Sequence, residues 1–102
     1  MKTFRILFLV GKDRPGIVDD VSTFLFERGA NIEDSRMAAL GGRFCVMTLF
    51  SCTSQQLGAI TGDLNKLTML GFEASLHEAE DPGAIPRQAG LPLKLDDLNF
   101  LK

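Results

Sequence analysis

The most constraining feature of the sequence is the stretch Gly-Lys-Asp-Arg-Pro-Gly-Ile-Val at residues 11–18. An alternating apolar run precedes it and an amphipathic run follows, which predicts a turn from a strand into a helix. Pro15 is expected at the first helical position and Asp13 or Arg14 at the cap, for which Asp13 is the better residue type. The N–H groups of a first helical turn carry partial positive charge and suit an anion such as a carboxylate. The stretch therefore predicts either an anion-binding turn or a plain capped turn without a ligand.

Composition and charge narrow the class of protein. The 102 residues fit one domain, and 45% of them are hydrophobic, as in globular chains. A net charge of −2 gives no reason to expect direct binding to nucleic acid or to an anionic membrane. The N-terminus lacks a signal-peptide pattern, and the apolar runs are too short to span a bilayer. We expect a cytoplasmic protein without a cofactor, with Cys45 and Cys52 as small buried side chains.

Hydrophobic periodicity predicts the order βαββαβ. Gly29 and Gly71 are expected to end the helices, Gly41 and Gly42 to form a tight hairpin turn, and Thr53 to open the second helix with a capping box. The predicted strands cover residues 3–10, 31–40, 43–52 and 72–79, and the predicted helices cover residues 15–28 and 53–71. This order is typical of an α+β, ferredoxin-like domain, a four-stranded antiparallel sheet with both helices on one face. It should occupy residues 1–80, followed by a Pro/Gly-rich tether and apolar C-terminal tail at residues 81–102.

The predicted sheet has apolar side chains on both faces. Phe4, Ile6, Phe8 and Val10 are expected to face the helices, which leaves Leu7 and Leu9 with one face of the central third strand on the other side. A sheet face in contact with water should be polar, so an apolar one indicates a contact. The cover is either a second copy of the chain or the leucine-rich tail. We therefore predict a homodimer, with the tail helping to hold it.

Several short motifs together resemble an ACT domain over roughly residues 2–80. They are Asp-Arg-Pro-Gly-Ile-Val at residues 13–18, Glu-Arg-Gly-Ala-Asn-Ile at residues 27–32 and Gly-Arg-Phe at residues 42–44. The chain is most similar to the stand-alone type, and to the halves of the glycine cleavage system transcriptional repressor family. The resemblance implies a regulatory module that binds an amino acid, commonly between paired domains, in amino-acid metabolism or its transcriptional control.

The same resemblance implies the ligand-binding positions. In amino-acid-binding members, polar side chains before the Pro-Gly and an Asn after the first helix hold the ligand. Asn31 matches that pattern, whereas Asp13 replaces an amide and Gly11 has no side chain. Asp13 could pair with an α-ammonium group and the N–H groups of the turn with an α-carboxylate. The candidate ligand-binding residues are Gly11, Lys12, Asp13, Arg14, Pro15, Gly16, Ile17, Asn31 and Ile32.

Other functional classes find little support in the sequence. His77 has no evident Ser or Cys partner for hydrolytic chemistry, so we predict that the chain is not an enzyme. Cys45 and Cys52 should lie on opposite faces of one strand and cannot form a metal clamp there. The third strand lacks the basic and aromatic pattern of RNA-recognition domains. The alternative that stays open is a module that works by protein contact, with no small ligand.

Overall fold

The computed structural model describes residues 2–83. Of the predicted tether and tail at residues 81–102, residues 84–102 lie outside the described residues. The predicted βαββαβ order is confirmed, except that the second helix is divided at Asp63. Gly62 and Asp63 are poor helix formers, and Arg28 Nε donates a hydrogen bond to Asp63 Oδ2 at the break. The elements are β1 (Thr3–Lys12), α1 (Ile17–Glu27), β2 (Asn31–Leu40), β3 (Arg43–Cys52), α2 (Ser54–Gly62), α3 (Leu64–Met69) and β4 (Glu73–Glu78).

The four strands form one antiparallel sheet in the order β2-β3-β1-β4. β3 is central, as its apolar pattern predicts, and β1 lies beside it. β2 and β4 are the two edges. Within residues 2–83, no helix combines the length and apolarity needed to cross a bilayer.

The hydrophobic core lies between the helices and one face of the sheet. Leu7 and Leu9 are fully buried there, so the prediction that Phe4, Ile6, Phe8 and Val10 face the helices is wrong. Both alternating sets of β1 are apolar, and periodicity alone does not tell which one is inside. The helices and β3 supply the rest of this core, chiefly Ile17, Val21, Phe24, Leu25, Phe44, Val46, Phe50, Ile60 and Leu67.

The opposite face of the sheet, called the open face below, remains apolar at its centre. Its apolar side chains come from alternate positions of the two central strands. Most of them are half-buried, and Met47 is 44% exposed. A groove of about 110 Å³ lies at this face between the apolar side chains of Ile6, Met47 and Leu49 and the β2 residues 34–36. The apolar residues of the open face are Phe4, Ile6, Phe8, Val10, Cys45, Met47 and Leu49.

The hairpin turn, the end of α1 and the start of α2 follow the predicted chemistry. Gly41 and Gly42 have φ angles of 62° and 80°, as a two-residue hairpin turn of the primed type requires. The capping box of α2 is present, because Gln56 N–H donates to Thr53 Oγ1 at 3.1 Å and Thr53 N–H donates to Gln56 Oε1 at 2.8 Å. Gly29, at φ 81°, follows α1 in the left-handed conformation that was expected there.

Candidate functional site

The β1–α1 turn, residues 11–18, differs from its predicted form at the start of the helix. α1 begins at Ile17, with Gly16 as N-cap at φ 85°, so the prediction of Pro15 inside the helix and Asp13 as its cap is wrong. Pro15 and Gly16 form the bend, and Asp13 N–H instead donates to the Gly42 carbonyl at 2.9 Å. The left-handed conformation of Gly16 allows this late start, which a side chain would strain.

The first N–H groups of α1 lack a side-chain cap. Asp20 N–H donates to the Gly16 carbonyl at 3.0 Å, which is the first α-helical hydrogen bond. The N–H groups of residues 17–19 have no intrahelical acceptor, and no side chain of the N-cap supplies one. A pocket of about 310 Å³ lies at this helix start. Its lining consists of Arg14, Pro15, Gly16, Ile17, Val18, Asp19 and, from β2, Met37.

Arg14 is the cationic side chain of this pocket. Its guanidinium donates to Asp20 Oδ2 at 2.6 Å and to the Pro15 carbonyl at 3.1 Å, and it lies 5.0 Å from the centroid of the Phe72 ring. Asp19 and Asp20 stabilise the first turn of α1, but their charges oppose an anionic ligand. A carboxylate in the pocket would therefore share Arg14 with Asp20.

Gly11 serves the packing beneath the turn. It is buried, and a Cβ built on it would lie 3.0 Å from Phe72 Cδ1 and 3.2 Å from Phe44 Cε1. The two rings pack edge to face with centroids 5.5 Å apart. Lys12 is exposed beside Gly11 and pairs in register with Arg43. Gly11 thus lets the turn sit directly on an aromatic pair, without offering a ligand any side chain.

Asn31 and Ile32 lie at the other end of the sheet from the turn. Asn31 is opposite Ser51, which is opposite Phe4, whereas Gly11 is opposite Phe44. The seven residues from Phe4 to Gly11 correspond to about 23 Å at 3.3 Å per residue. The structure therefore groups candidate residues 11–17 but does not bring Asn31 and Ile32 to them within one chain.

Asn31 has a local carboxylate partner that the sequence analysis missed. Asn31 Nδ2 donates to Glu33 Oε2 at 2.8 Å, and Ser51 Oγ donates to the same oxygen at 2.7 Å. The hydrogen bonds from Ser51 and Asn31 lower the pKa of Glu33 below its ordinary value. Glu33 lies at an irregularity in the β2–β3 register, which turns this side chain toward Ser51. The sequence signal for this contact was that Glu33 follows Asn31 by two residues in the same strand.

His77 has a hydroxyl partner, in contrast to the expectation from sequence. Ser75 Oγ and His77 Nε2 are 2.8 Å apart, because residues two apart on a strand share a face. The ring packs edge-on to Phe8, with centroids 6.4 Å apart. Cys45 and Cys52 lie on opposite faces, as predicted. Within residues 2–83, no group of three or more His, Cys, Asp or Glu side chains is placed to hold a metal ion.

Comparison with known proteins agrees with this architecture. A family model described as an ACT domain matches residues 4–77. The glycine cleavage system transcriptional repressor of Escherichia coli strain K12 is 34% identical over 77 residues, which are 76% of this chain and 35% of the repressor. The formyltetrahydrofolate deformylase of Bacillus subtilis strain 168 is 51% identical over 43 residues, 39% of this chain and 14% of the deformylase.

A solved structure of an ACT domain protein of similar size has the same fold as this chain. The ACT domain protein from Streptococcus pneumoniae superposes with a TM-score of 0.67 at 28% identity, covering 76% of this chain and 90% of that one. The chain spans only 35% of the length of the curated repressor, so the two are alike in one domain. The fold, the turn at residues 11–18 and the matched family model together show that the chain belongs to the ACT domain family.

Proposed function

We propose that this ACT domain is a regulatory module, not an enzyme, and that it binds a free amino acid at the β1–α1 turn. The observation that carries the proposal is the pocket of about 310 Å³ at the uncapped start of α1. The α-carboxylate of a ligand accepts hydrogen bonds from the N–H groups of residues 17–19 and from Arg14. The exposed carboxylate of Asp13 pairs with the α-ammonium group.

A second copy of the chain completes this site. All ten residues of β2 are exposed, and one side of β2 is an unpaired sheet edge, which is a template for pairing with another strand. Two β2 strands joined antiparallel about a two-fold axis place the start of one beside the end of the other. Asn31 of the partner subunit then lies beside Leu40, on the strand whose Met37 lines the pocket. The homodimer thus brings together the two parts that one chain separates.

The names of the relatives support a setting for this module. One is called a repressor of the glycine cleavage system and another a formyltetrahydrofolate deformylase. We place the chain in amino-acid metabolism or its transcriptional control, in the cytoplasm. The competing function is protein contact without a ligand, and the observation in its favour is the pair Asp19 and Asp20 beside the pocket, which repels a carboxylate.

Binding is tested first by thermal unfolding of the full chain with each common amino acid. A ligand at a hundredfold its Kd adds about 2.7 kcal/mol to the free energy of unfolding. Asp13→Ala and Asn31→Ala should each lower the affinity for the amino acid that gives a thermal response by about ten- to hundredfold, because each removes one charge-assisted hydrogen bond. Glu78→Ala removes an exposed carboxylate on β4, the sheet edge opposite β2. It is the matched control and should bind as the wild type does. Absence of any thermal response would favour the protein-contact alternative.

Mixing the two deficient variants tests the shared site. A heterodimer of Asp13→Ala with Asn31→Ala contains one doubly altered site and one intact site. An equal mixture should therefore recover about a quarter of the wild-type binding sites, as calorimetry can count. If the site is formed within one chain, mixing restores none. A single-chain mass by light scattering at micromolar concentration would refute the dimer itself.

A further inference from the structure

We propose that residues 91–101 of this chain lie across the open face of their own subunit and cover it. The open face has seven apolar side chains on the two central strands, and the helices of residues 2–83 pack on the opposite face of the sheet. Met47 is 44% exposed, and the groove beside Ile6 and Leu49 has a volume of about 110 Å³. A contiguous apolar surface of this kind marks a contact, so the question is which partner occupies it.

The sequence of residues 91–101 matches this surface in pattern. Leu91, Leu93 and Leu95 alternate with Pro92 and Lys94, so one side of an extended chain is entirely leucine. Leu98, Phe100 and Leu101 add further apolar area. A bulky leucine side chain that fills a groove between half-buried neighbours removes apolar surface from water, which stabilises the contact.

The chain also has the reach and the direction for this contact. β4 ends at Glu78, opposite Arg5, at the end of the sheet remote from the β1–α1 turn. From Gly83 to Leu91 eight residues span up to about 26 Å, whereas the sheet is about 14 Å wide between its edge strands. The tether is therefore long enough to turn back beneath the sheet and to enter the open face at its near end.

Charge favours the same placement. Lys12 and Arg43 form a positive pair at the far end of β1 and β3, and within residues 2–83 neither is part of a salt bridge. The far end is seven residues from Arg5, or about 23 Å. Asp97 lies six residues beyond Leu91, or about 20 Å in an extended chain. Leucines along the groove thus bring the acidic pair Asp96-Asp97 to the basic pair.

The strand order decides between the subunit's own face and that of a partner. β4, from which the tether leaves, is the edge opposite β2. A tail that reached a partner joined through β2 would have to cross its own open face first. A second copy packed face to face would instead bring two apolar faces together without using the leucines. A contact between the tail and the open face of the same subunit is intramolecular, so it forms independently of the protein concentration.

Cys45 reports on this contact because its thiol lies in the open face, opposite Val10. The measurement is the rate of iodoacetamide alkylation of the full chain, followed by mass spectrometry. Leu91→Ser with Leu95→Ser should raise the Cys45 rate about tenfold or more, because the cover is lost. Gln88→Ser with Lys94→Ser, on the tether and at an alternate position, is the matched control and should leave the rate unchanged.

Cys52 is the internal check on folding. It is buried in the core on the helix side, and burial raises the pKa of its thiol, so it should react slowly while the domain is folded. Fast Cys45 with slow Cys52 in the leucine variant, independent of protein concentration, supports the proposal. Equal Cys45 rates in wild type and leucine variant overturn it. Wild-type protection that disappears on dilution also overturns it and assigns the face to a second copy. None of these outcomes depends on ligand binding at the β1–α1 turn.

Discussion

Gly11 and Gly58 offer a matched test of the packing beneath the β1–α1 turn. The same change, Gly→Ala, should destabilise the domain at position 11 and stabilise it at position 58. Gly11 has no positive φ, so its backbone accepts alanine and the effect is steric. The new methyl would lie 3.0 Å from Phe72 Cδ1 and 3.2 Å from Phe44 Cε1, both in buried rings that contact each other. At Gly58, in α2, the new methyl would have no atom of residues 2–83 within 4 Å apart from its chain neighbours and the backbone of its own helix.

The magnitudes follow from these two environments. Overpacking a filled core costs about 1–3 kcal/mol, and the lower backbone entropy of unfolded alanine offsets about 0.5–1 kcal/mol of it. Gly11→Ala should therefore lower the free energy of unfolding by about 1 kcal/mol, near the middle of a range of about 0–2.5 kcal/mol. Gly58→Ala should raise it by about 0.5–1 kcal/mol, because alanine is the better helix former. Each kcal/mol corresponds to about 4–8 °C in Tm for a domain of this size.

The assay is urea unfolding followed by circular dichroism, with Tm as a second measurement. Phe72→Leu in the Gly11→Ala background removes the ring in closest contact and should give a favourable coupling energy in the double-mutant cycle. A Gly11→Ala protein as stable as the wild type, beside a normally stabilised Gly58→Ala, would refute the close approach of the turn to the aromatic pair.

Three further predictions concern residues outside the pocket. Arg28→Met should lower the free energy of unfolding by about 1.5–3 kcal/mol in urea titrations, because the mostly buried guanidinium bonds the Phe24 carbonyl at 2.8 Å and Asp63 at 3.1 Å; no loss would exclude it as a clasp between the helices. Thr53→Ala removes the capping box and should cost about 1 kcal/mol by the same measurement, whereas an unchanged midpoint would refute the cap. The pKa of Glu33 is lowered in the folded state, so its ionised carboxylate contributes full stability above the ordinary glutamate pKa of about 4.3. This contribution is lost as the pH falls through the lowered pKa of the folded state. Glu33→Gln should make the free energy of unfolding less dependent on pH in this acidic range. An unchanged pH dependence there would contradict the hydrogen bonds from Ser51 and Asn31.

The sequence was sufficient for the elements whose signals are local. Gly41-Gly42 fixes a hairpin because two consecutive positive φ angles are tolerated there, and Thr53 with Gln56 fixes a helix start. The start of α1 was misplaced because two local rules compete over adjacent residues. Pro15 suits a first helical position, but Gly16 takes the left-handed conformation and delays the helix to Ile17.

The face of β1 and the assembly of the site depend on non-local pairing. Phe8 and Leu9 are both apolar, but Leu9 is opposite Ala74 and Phe8 is opposite the polar Ser75. Directly opposite residues share a face, so β4, with its clearer alternation, distinguishes the two sides of β1 once the register is known. The same register separates Asn31 from the β1–α1 turn, a distance that no spacing in the sequence expresses.

The central place of β1 in the sheet has a consequence for the order of events during synthesis. β1 is synthesised before the other three strands of this sheet, and its two neighbours come much later: Thr3 is opposite Cys52, and Arg5 is opposite Glu78. Only the β2–β3 hairpin closes a short loop, so we expect it to form first and β1 to join it by a slow, long-range search. Until β4 leaves the ribosome, the nascent chain carries an apolar strand with one unpaired edge, the state from which edge-to-edge aggregation starts. Pairing of β4, the shortest of the four described strands, therefore covers the free edge of β1 and ends the period in which aggregation can start there.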